Sequence, residues 1–133
     1  MVIEGSRALV VGGGSGLGEA TARALAERGA IVTVADIDPD RAISVAGALG
    51  TEPVICDVCD GDAVAGAVER AADGGALRIS VCCAGIGWAE KVAGSRGPHA
   101  AQPFERVIAV NLIGTFNALR HAAAAMLAAF DAA

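Results

Sequence analysis

An α/β fold, a parallel sheet wound with helices on both faces, is the class that this 133-residue sequence predicts. Short β-branched runs alternate with helical patterns along the chain, and no polar linker is long enough to separate domains. Repeated β-α units of this kind demand parallel strands joined by right-handed crossovers. A glycine-rich turn, Val11-Gly12-Gly13-Gly14-Ser15-Gly16-Leu17-Gly18, sits between the first apolar run and the first helical pattern. A single domain over 1–133 is expected, and a hydrophobic content of 54% supplies material for its core.

The run Ala8-Leu9-Val10-Val11 has the length and β-branching of a buried strand, and Glu19 through Arg28 continues as a helix up to Gly29, a C-cap. A second strand, Ile31 to Ala35, ends in Asp36. Asp38-Pro39 then reads as N-cap and first helical residue of a helix that turns Ala42, Val45, Ala46 and Leu49 inward before Gly50 stops it. Pro53 to Cys56 is a short third strand, and Asp60 caps a helix carrying Val64, Ala67, Val68 and Ala71 as far as Asp73-Gly74-Gly75. Leu77 to Ala84 is the fourth strand, and Gly85 to Ala101 is a loop with Trp88, Lys91 and His99. After Pro103 a long helix directs Phe104, Val107, Ile108, Leu112 and Leu119 to a core.

In the strand order expected of a doubly wound sheet, 3-2-1-4, the third and fourth strands lie about 14 Å apart at ~4.8 Å per strand. Cys56 and Cys59 have ligand-like spacing, but they cannot meet Cys82 and Cys83 around a metal across that distance. No metal site is expected, and the four cysteines read as reduced, mostly buried small hydrophobes.

Ten basic against fifteen acidic residues give a net charge of −5, with no basic stripe and only three Phe and one Trp as stacking platforms. A nucleic-acid partner is therefore not expected. The start, Met1-Val2-Ile3-Glu4-Gly5, lacks a signal peptide, and charge or glycine breaks every apolar run before it reaches membrane-spanning length. These features predict a soluble cytoplasmic protein without a membrane partner.

Glycines at a strand-to-helix turn have a specific chemical use. They let a bulky anion approach the backbone, while the first N–H groups of the helix and its dipole point at that anion. Glycine clusters more often mark ordinary turns, so the surroundings decide. Asp36 lies eighteen residues after Gly18, at a strand end where a carboxylate accepts hydrogen bonds from an adenosine ribose. A solvated aspartate opening a turn is its plainer role. Together the two features point to a dinucleotide with its pyrophosphate over Gly12, Ser15, Gly16, Leu17 and Gly18. Asp36 would repel a 2′-phosphate, and Ser15, Ile37 and Asp38 occupy the places where a rescuing cation would stand. NAD is therefore expected over NADP.

These segments resemble the short-chain dehydrogenase/reductase family, whose glycine motif is Thr-Gly-x-x-x-Gly-x-Gly. Gly12, Gly16 and Gly18 match it, with Val11 in place of the threonine. Family members hold the adenine with an aspartate after the third strand, which Asp57-Val58 matches. Their Asn-Asn-Ala-Gly after the fourth strand is Cys82-Cys83-Ala84-Gly85 here, so the asparagines that steady the sheet near the nicotinamide side are lost. By this resemblance Asp57, Val58, Cys83, Ala84 and Gly85 join the cofactor contacts. Asn111, within Val110-Asn111-Leu112-Ile113-Gly114-Thr115, matches the asparagine of the catalytic tetrad. The stretches Cys83 to Ile86, Gln102 to Ile108 and Asn111 to Asn117 are most similar to the type 2 3-hydroxyacyl-CoA dehydrogenases. The resemblance implies a Rossmann fold and NAD-dependent oxidation of a secondary alcohol or hydroxyacyl-CoA to a ketone. It also implies a homo-oligomer that pairs the long helix with its copy.

The resemblance breaks at the catalytic pair. Family members carry Tyr-x-x-x-Lys with a serine ahead of it; the tyrosine takes the alcohol proton and the lysine lowers its pKa. This sequence has no tyrosine, and its one lysine, Lys91, reads as a solvated loop residue. The chain is then the amino-terminal, cofactor-binding part of a dehydrogenase, or a noncatalytic NAD-binding or dimerisation module, or a chain missing an internal stretch. The last reading arises because Ala128-Ala129-Phe130-Asp131 resembles the segment just beyond the catalytic serine. Asn111 either helps hold a relay water or bonds its own helix backbone at a kink. Trp88 and His99 read as packing or surface residues, and Phe104, Phe116 and Met126 as core or subunit contacts.

Overall fold

A computed structural model describes residues 2–95 and 97–131. The expected domain span of 1–133 also takes in Met1, Arg96, Ala132 and Ala133, which lie outside those residues. Strands β1 (Arg7–Val11), β2 (Ile31–Asp36), β3 (Pro53–Ile55) and β4 (Leu77–Cys82) form a parallel sheet in the order β3-β2-β1-β4. This is the predicted topology. The central strand β1 sets Val10 opposite Val34 on one side and Val81 on the other. Its side chains alternate, so Ala8 and Val10 pack with Val32, Val34 and Ile79, while Leu9 and Val11 pack with Ala35 and Leu77.

Helices α1 (Gly16–Glu27) and α2 (Pro39–Ala48) cover the first face with Ala22, Val45 and Ala46. Helices α3 (Gly61–Ala72) and α5 (Thr115–Asp131) cover the second with Val64, Ala67, Val68, Ala71, Ala118 and Ala122. A parallel sheet buried on both faces needs unbroken apolar strands, which is why β1 shows no polar alternation. The caps are local chemistry. The Asp38 carboxylate accepts from Arg41 N at 3.2 Å, and Asp60 Oδ1 accepts from Asp62 N at 2.9 Å and Ala63 N at 3.2 Å. No helix among the described residues is long and apolar enough to cross a membrane.

Several boundaries differ from the sequence reading. Helix α1 begins at Gly16, inside the glycine turn, rather than at Glu19. Strands β3 and β4 stop at Ile55 and Cys82. Cys83 N still donates to Val11 O at 2.7 Å, but Val11 is the last residue of β1 and the ladder has no partner beyond it. The loop after β4 contains a short antiparallel hairpin, β5 (Ala93–Gly94) with β6 (Gly97–Pro98).

The long helix is three pieces: α4 (Ala101–Ile108), a wider π-helical turn over Ala109–Gly114, and α5. Its expected core set is corrected. Phe104, Leu112 and Leu119 are 62%, 63% and 63% exposed, and Val107 and Ile108 are half-buried. The inner face is Val110, Gly114, Asn117, Ala118 and Ala122. Close approach explains the choice, because a Cβ on Gly114 would stand 2.5 Å from Val58 Cγ2. A seat that tight admits small residues only, so the large apolar side chains fall on the outer face.

Candidate functional site

The glycine turn leaves the end of β1 with Gly12 N and Gly13 N both donating to Ala35 O, at 2.8 and 3.0 Å. Gly12 has φ +75, and a Cβ there would collide with the backbone of Ala84. One on Gly18 would overlap the carbonyl of Gly12. These two glycines are therefore dictated by backbone meeting backbone. Gly16 differs: its φ is +54, yet a Cβ would meet nothing within 4 Å. It faces open space.

Ser15 is the N-cap of α1, in extended conformation, and its side chain caps nothing. Glu19 N donates to Ser15 O at 3.1 Å. The N–H groups of Gly16, Leu17 and Gly18 precede that bond and belong to the set a helix cannot satisfy internally. They give the turn a partial positive charge and unused donors, the requirements of an anion seat.

Opposite the turn, Asp36 is 9% exposed and held by two backbone donors. Gly14 N donates to its Oδ2 at 2.8 Å and Asp38 N to its Oδ1 at 3.0 Å. Each carboxylate oxygen retains acceptor capacity for a ligand hydroxyl. A third wall comes from the segment after β3. Asp57 Oδ1 accepts from Cys59 N at 2.9 Å, and Val58 O accepts from Asn117 Nδ2 on α5 at 2.9 Å.

These walls enclose one cavity of about 460 Å³. Gly12, Ser15, Gly16, Leu17, Gly18, Asp36, Asp57, Val58, Cys83, Ala84 and Gly85, the eleven residues assigned to a cofactor from sequence, all line it. The sequence reading missed Ile37, Arg41, Cys56, Ile86, Arg106 and Val110, which line it too. Arg41 stands on the first turn of α2, five residues past Asp36, where helical geometry folds it back toward the turn. Arg106 and Val110 share a helix face four residues apart, a signal that was available in the spacing.

Asn111 does not line the cavity. Its amide donates from Nδ2 to Ile86 O at 2.8 Å and accepts at Oδ1 from Ile86 N at 2.9 Å. Of the two roles offered by the sequence, bonding its own helix backbone is corrected: the side chain spans to the loop after β4, while Thr115 Oγ1 donates to the Asn111 carbonyl at 2.8 Å. Trp88, Lys91 and His99 stand away from the cavity lining. Trp88 Nε1 donates to Glu90 Oε2 at 3.2 Å, and His99 Nε2 lies 3.7 Å from the same oxygen.

The cysteines are all free thiols. Burial, then the negative charges of Asp57 and Asp60, push the Cys56 thiol up to about 11. Burial and Asp57 raise that of Cys59. Both are thereby kept protonated and poorly nucleophilic at neutral pH. Among the described residues no group of three or more His, Cys, Asp or Glu is placed to hold a metal ion.

Known proteins are similar to the chain in sequence and fold. The short chain dehydrogenase family matches residues 6–132. The chain is 39% identical over 130 residues to a 3-hydroxyacyl-CoA dehydrogenase type-2 of Drosophila melanogaster, covering 94% of this chain and 51% of that protein. It is 37% identical over 131 residues to a secoisolariciresinol dehydrogenase of Forsythia intermedia, covering 96% and 47%. The crystal structure of a 3-hydroxyacyl-CoA dehydrogenase type-2 from Mycobacterium avium superposes with a TM-score of 0.85 at 37% identity, covering 91% of this chain and 48% of that one. The chain thus spans about half the length of the curated relatives it matches.

Proposed function

The chain belongs to the short chain dehydrogenase family, and from that membership we propose that it supplies the cofactor-holding part of an NAD-dependent dehydrogenase. Its substrate is a secondary alcohol, with a 3-hydroxyacyl-CoA as the first candidate, by similarity to relatives bearing that name. The observation that carries the reading is the cavity with an uncapped helix N-terminus on one side and a doubly held carboxylate on the other.

The residues fit a dinucleotide. The N–H groups of Gly16, Leu17 and Gly18 face its pyrophosphate, and the open space at Gly16 gives that group room. Asp36 accepts from the adenosine ribose, which favours NAD over NADP. Asp57 and Val58 form the adenine wall, and Cys83, Ala84 and Gly85 lead toward the nicotinamide. Bound NAD would supply the hydride acceptor. Asn111 holds Ile86 and so orients the segment that leaves β4. Within these 133 residues no tyrosine is present to take the alcohol proton.

The apolar outer face of the long helix, with Leu112, Phe116, Leu119 and Leu127 exposed, is where a second copy would pack. A homo-oligomer and a cytoplasmic location belong to this reading. The missing tyrosine favours one alternative, a noncatalytic NAD-binding or dimerisation module. Calorimetric titration of the chain with NAD tests the common premise. Saturable binding is expected, with NADP weaker. Failure to bind either dinucleotide would overturn it.

A further inference from the structure

We propose that a groove of about 360 Å³, between the loop after β4 and the first turns of α4, is a second binding site that takes a small amphiphilic carboxylate. The ligand's apolar chain or ring lies along the groove and its carboxylate meets Arg106. The inference goes beyond the dinucleotide reading and does not depend on it. Ile86 and Trp88 form one wall, and Pro103, Arg106 and Val107 the other. Pro103 and Val107 stand one turn apart on α4, with Arg106 on the same face. Small-molecule sites occupy about 300–1,000 Å³ and combine an apolar lining with a few polar groups, which is the composition here. Ile86 and Arg106 line the larger cavity as well, so the carboxylate stands where the two meet.

The loop wall is held in place at two points. Asn111 binds Ile86 twice, at 2.8 and 2.9 Å. The Trp88 indole N–H donates to Glu90 Oε2 at 3.2 Å, so its polar edge is engaged while the side chain stays 61% exposed. An indole that is oriented but not packed offers its apolar face to a ligand. Arg106 supplies the charge. Among the described residues no carboxylate forms an ion pair with it, and its guanidinium meets only Cys59 Sγ, at 3.9 Å from Nη1. A carboxylate presents the two oxygens that a planar guanidinium binds in parallel. The net charge of −5 disfavours polyanions such as nucleic acid or an anionic membrane, and repels a phosphate dianion more than a carboxylate. A small molecule with one negative group is the occupant that fits.

Trp88 is the only tryptophan in the chain, so its fluorescence reports on the groove. Titration of the unaltered chain with octanoate, below its micelle concentration, should change the emission saturably, and calorimetry should return the same dissociation constant. Arg106→Gln should weaken octanoate about tenfold, as expected for losing one charged contact. Octanol should bind the unaltered chain about as weakly as octanoate binds that variant. Trp88→Ala, followed by calorimetry, should weaken octanoate and octanol alike. Both side chains are exposed, so the variants keep the fold, and thermal unfolding curves check this. Absence of saturable octanoate binding to the unaltered chain overturns the proposal. So does octanol binding as tightly as octanoate, or octanoate affinity unchanged in Arg106→Gln. Affinity unchanged in Trp88→Ala also overturns it, by placing the ligand on the apolar outer face of the long helix instead.

Discussion

Asn111 and Ile86 are bound to each other twice, the Asn111 amide donating to the Ile86 carbonyl at 2.8 Å and accepting from the Ile86 N–H at 2.9 Å. The arrangement is that of a strand neighbour, supplied by a side chain. Ile86 lies past the end of β4, where β1 has no more ladder partners to offer, and the helix takes over the pairing. The π-helical turn over Ala109–Gly114 contains the residue that does this.

Asn111→Ala should therefore loosen the segment after β4 without unfolding the sheet. Losing two exposed hydrogen bonds is expected to cost about 1 kcal/mol in chemical denaturation. Hydrogen exchange at the Ile86 amide should quicken, and Asn111→Asp, which keeps only the acceptor half, should protect it partly. An Ile86 amide that exchanges at the same rate in the alanine variant would show that the double bond does not hold the loop.

Gly114 and Val58 mark the tightest approach of the long helix to the cavity wall, with 2.5 Å between a built Cβ and Val58 Cγ2. Gly114→Ala should destabilise by about 1–3 kcal/mol through overpacking. Val58→Ala in the same chain should recover part of that loss, because it removes the opposing methyl groups. Additive effects of the two changes would mean that the contact is not the cause.

The sheet was legible in the sequence because its central strand β1 is buried on both faces and reads as an apolar run, because the other strands are short β-branched segments set between helical patterns, and because Asp38 and Asp60 announce their helices chemically. The cavity was legible because its lining comes from the carboxyl ends of those strands. The face of the long helix was not. It carries two apolar stripes, one of small residues and one of large, and periodicity locates stripes without saying which meets the core. Contacts distant in sequence decide it, the Gly114–Val58 approach across 56 positions and the Asn117–Val58 hydrogen bond among them. Arg41 was missed for a related reason, since a search for a cation just after Asp36 follows the chain, whereas the helix returns it through space.

Cys56 makes stability sensitive to alkali. Burial and the charges of Asp57 and Asp60 raise its thiol from 9.0 to about 11, so the folded protein holds this proton more tightly than the unfolded chain. Its stabilising contribution is complete below about pH 9 and is lost as pH climbs through about 11, a loss of at most about 3 kcal/mol. Cys56→Ala should flatten the fall in unfolding free energy between those pH values relative to the unaltered chain. Parallel curves for the two proteins would assign the alkaline loss to other groups.

Gly16→Val separates the two roles of the glycine turn. The protein leaves space for the side chain, and the cost to folding is the left-handed conformation, about 1–2 kcal/mol. Helical circular dichroism should therefore persist while NAD binding disappears, because the valine would fill the approach to the free N–H groups of α1. Normal NAD affinity in this variant would place the pyrophosphate elsewhere.

The 133-residue chain is predicted to bind NAD without oxidising an alcohol. Hydride transfer from a secondary alcohol requires a base that takes the hydroxyl proton, and in this family that base is a tyrosine, which the sequence lacks. The remaining candidates are badly placed. Lys91 and His99 stand outside the cavity lining, and Cys56, which does line it, has a thiol raised to about 11. Incubation of the purified chain with NAD and a 3-hydroxyacyl-CoA, followed at the absorbance of NADH, should show no turnover above the uncatalysed rate. Appreciable NADH would disprove the claim, and His99→Ala and Lys91→Ala would then identify the base. Silence alone does not separate half a dehydrogenase from a noncatalytic module. The paired measurement adds a carboxyl-terminal segment bearing Tyr-x-x-x-Lys from one of the matched relatives. Activity gained on that addition, and lost again with Gly16→Val, would show that the cavity built here presents the cofactor in a reactive pose.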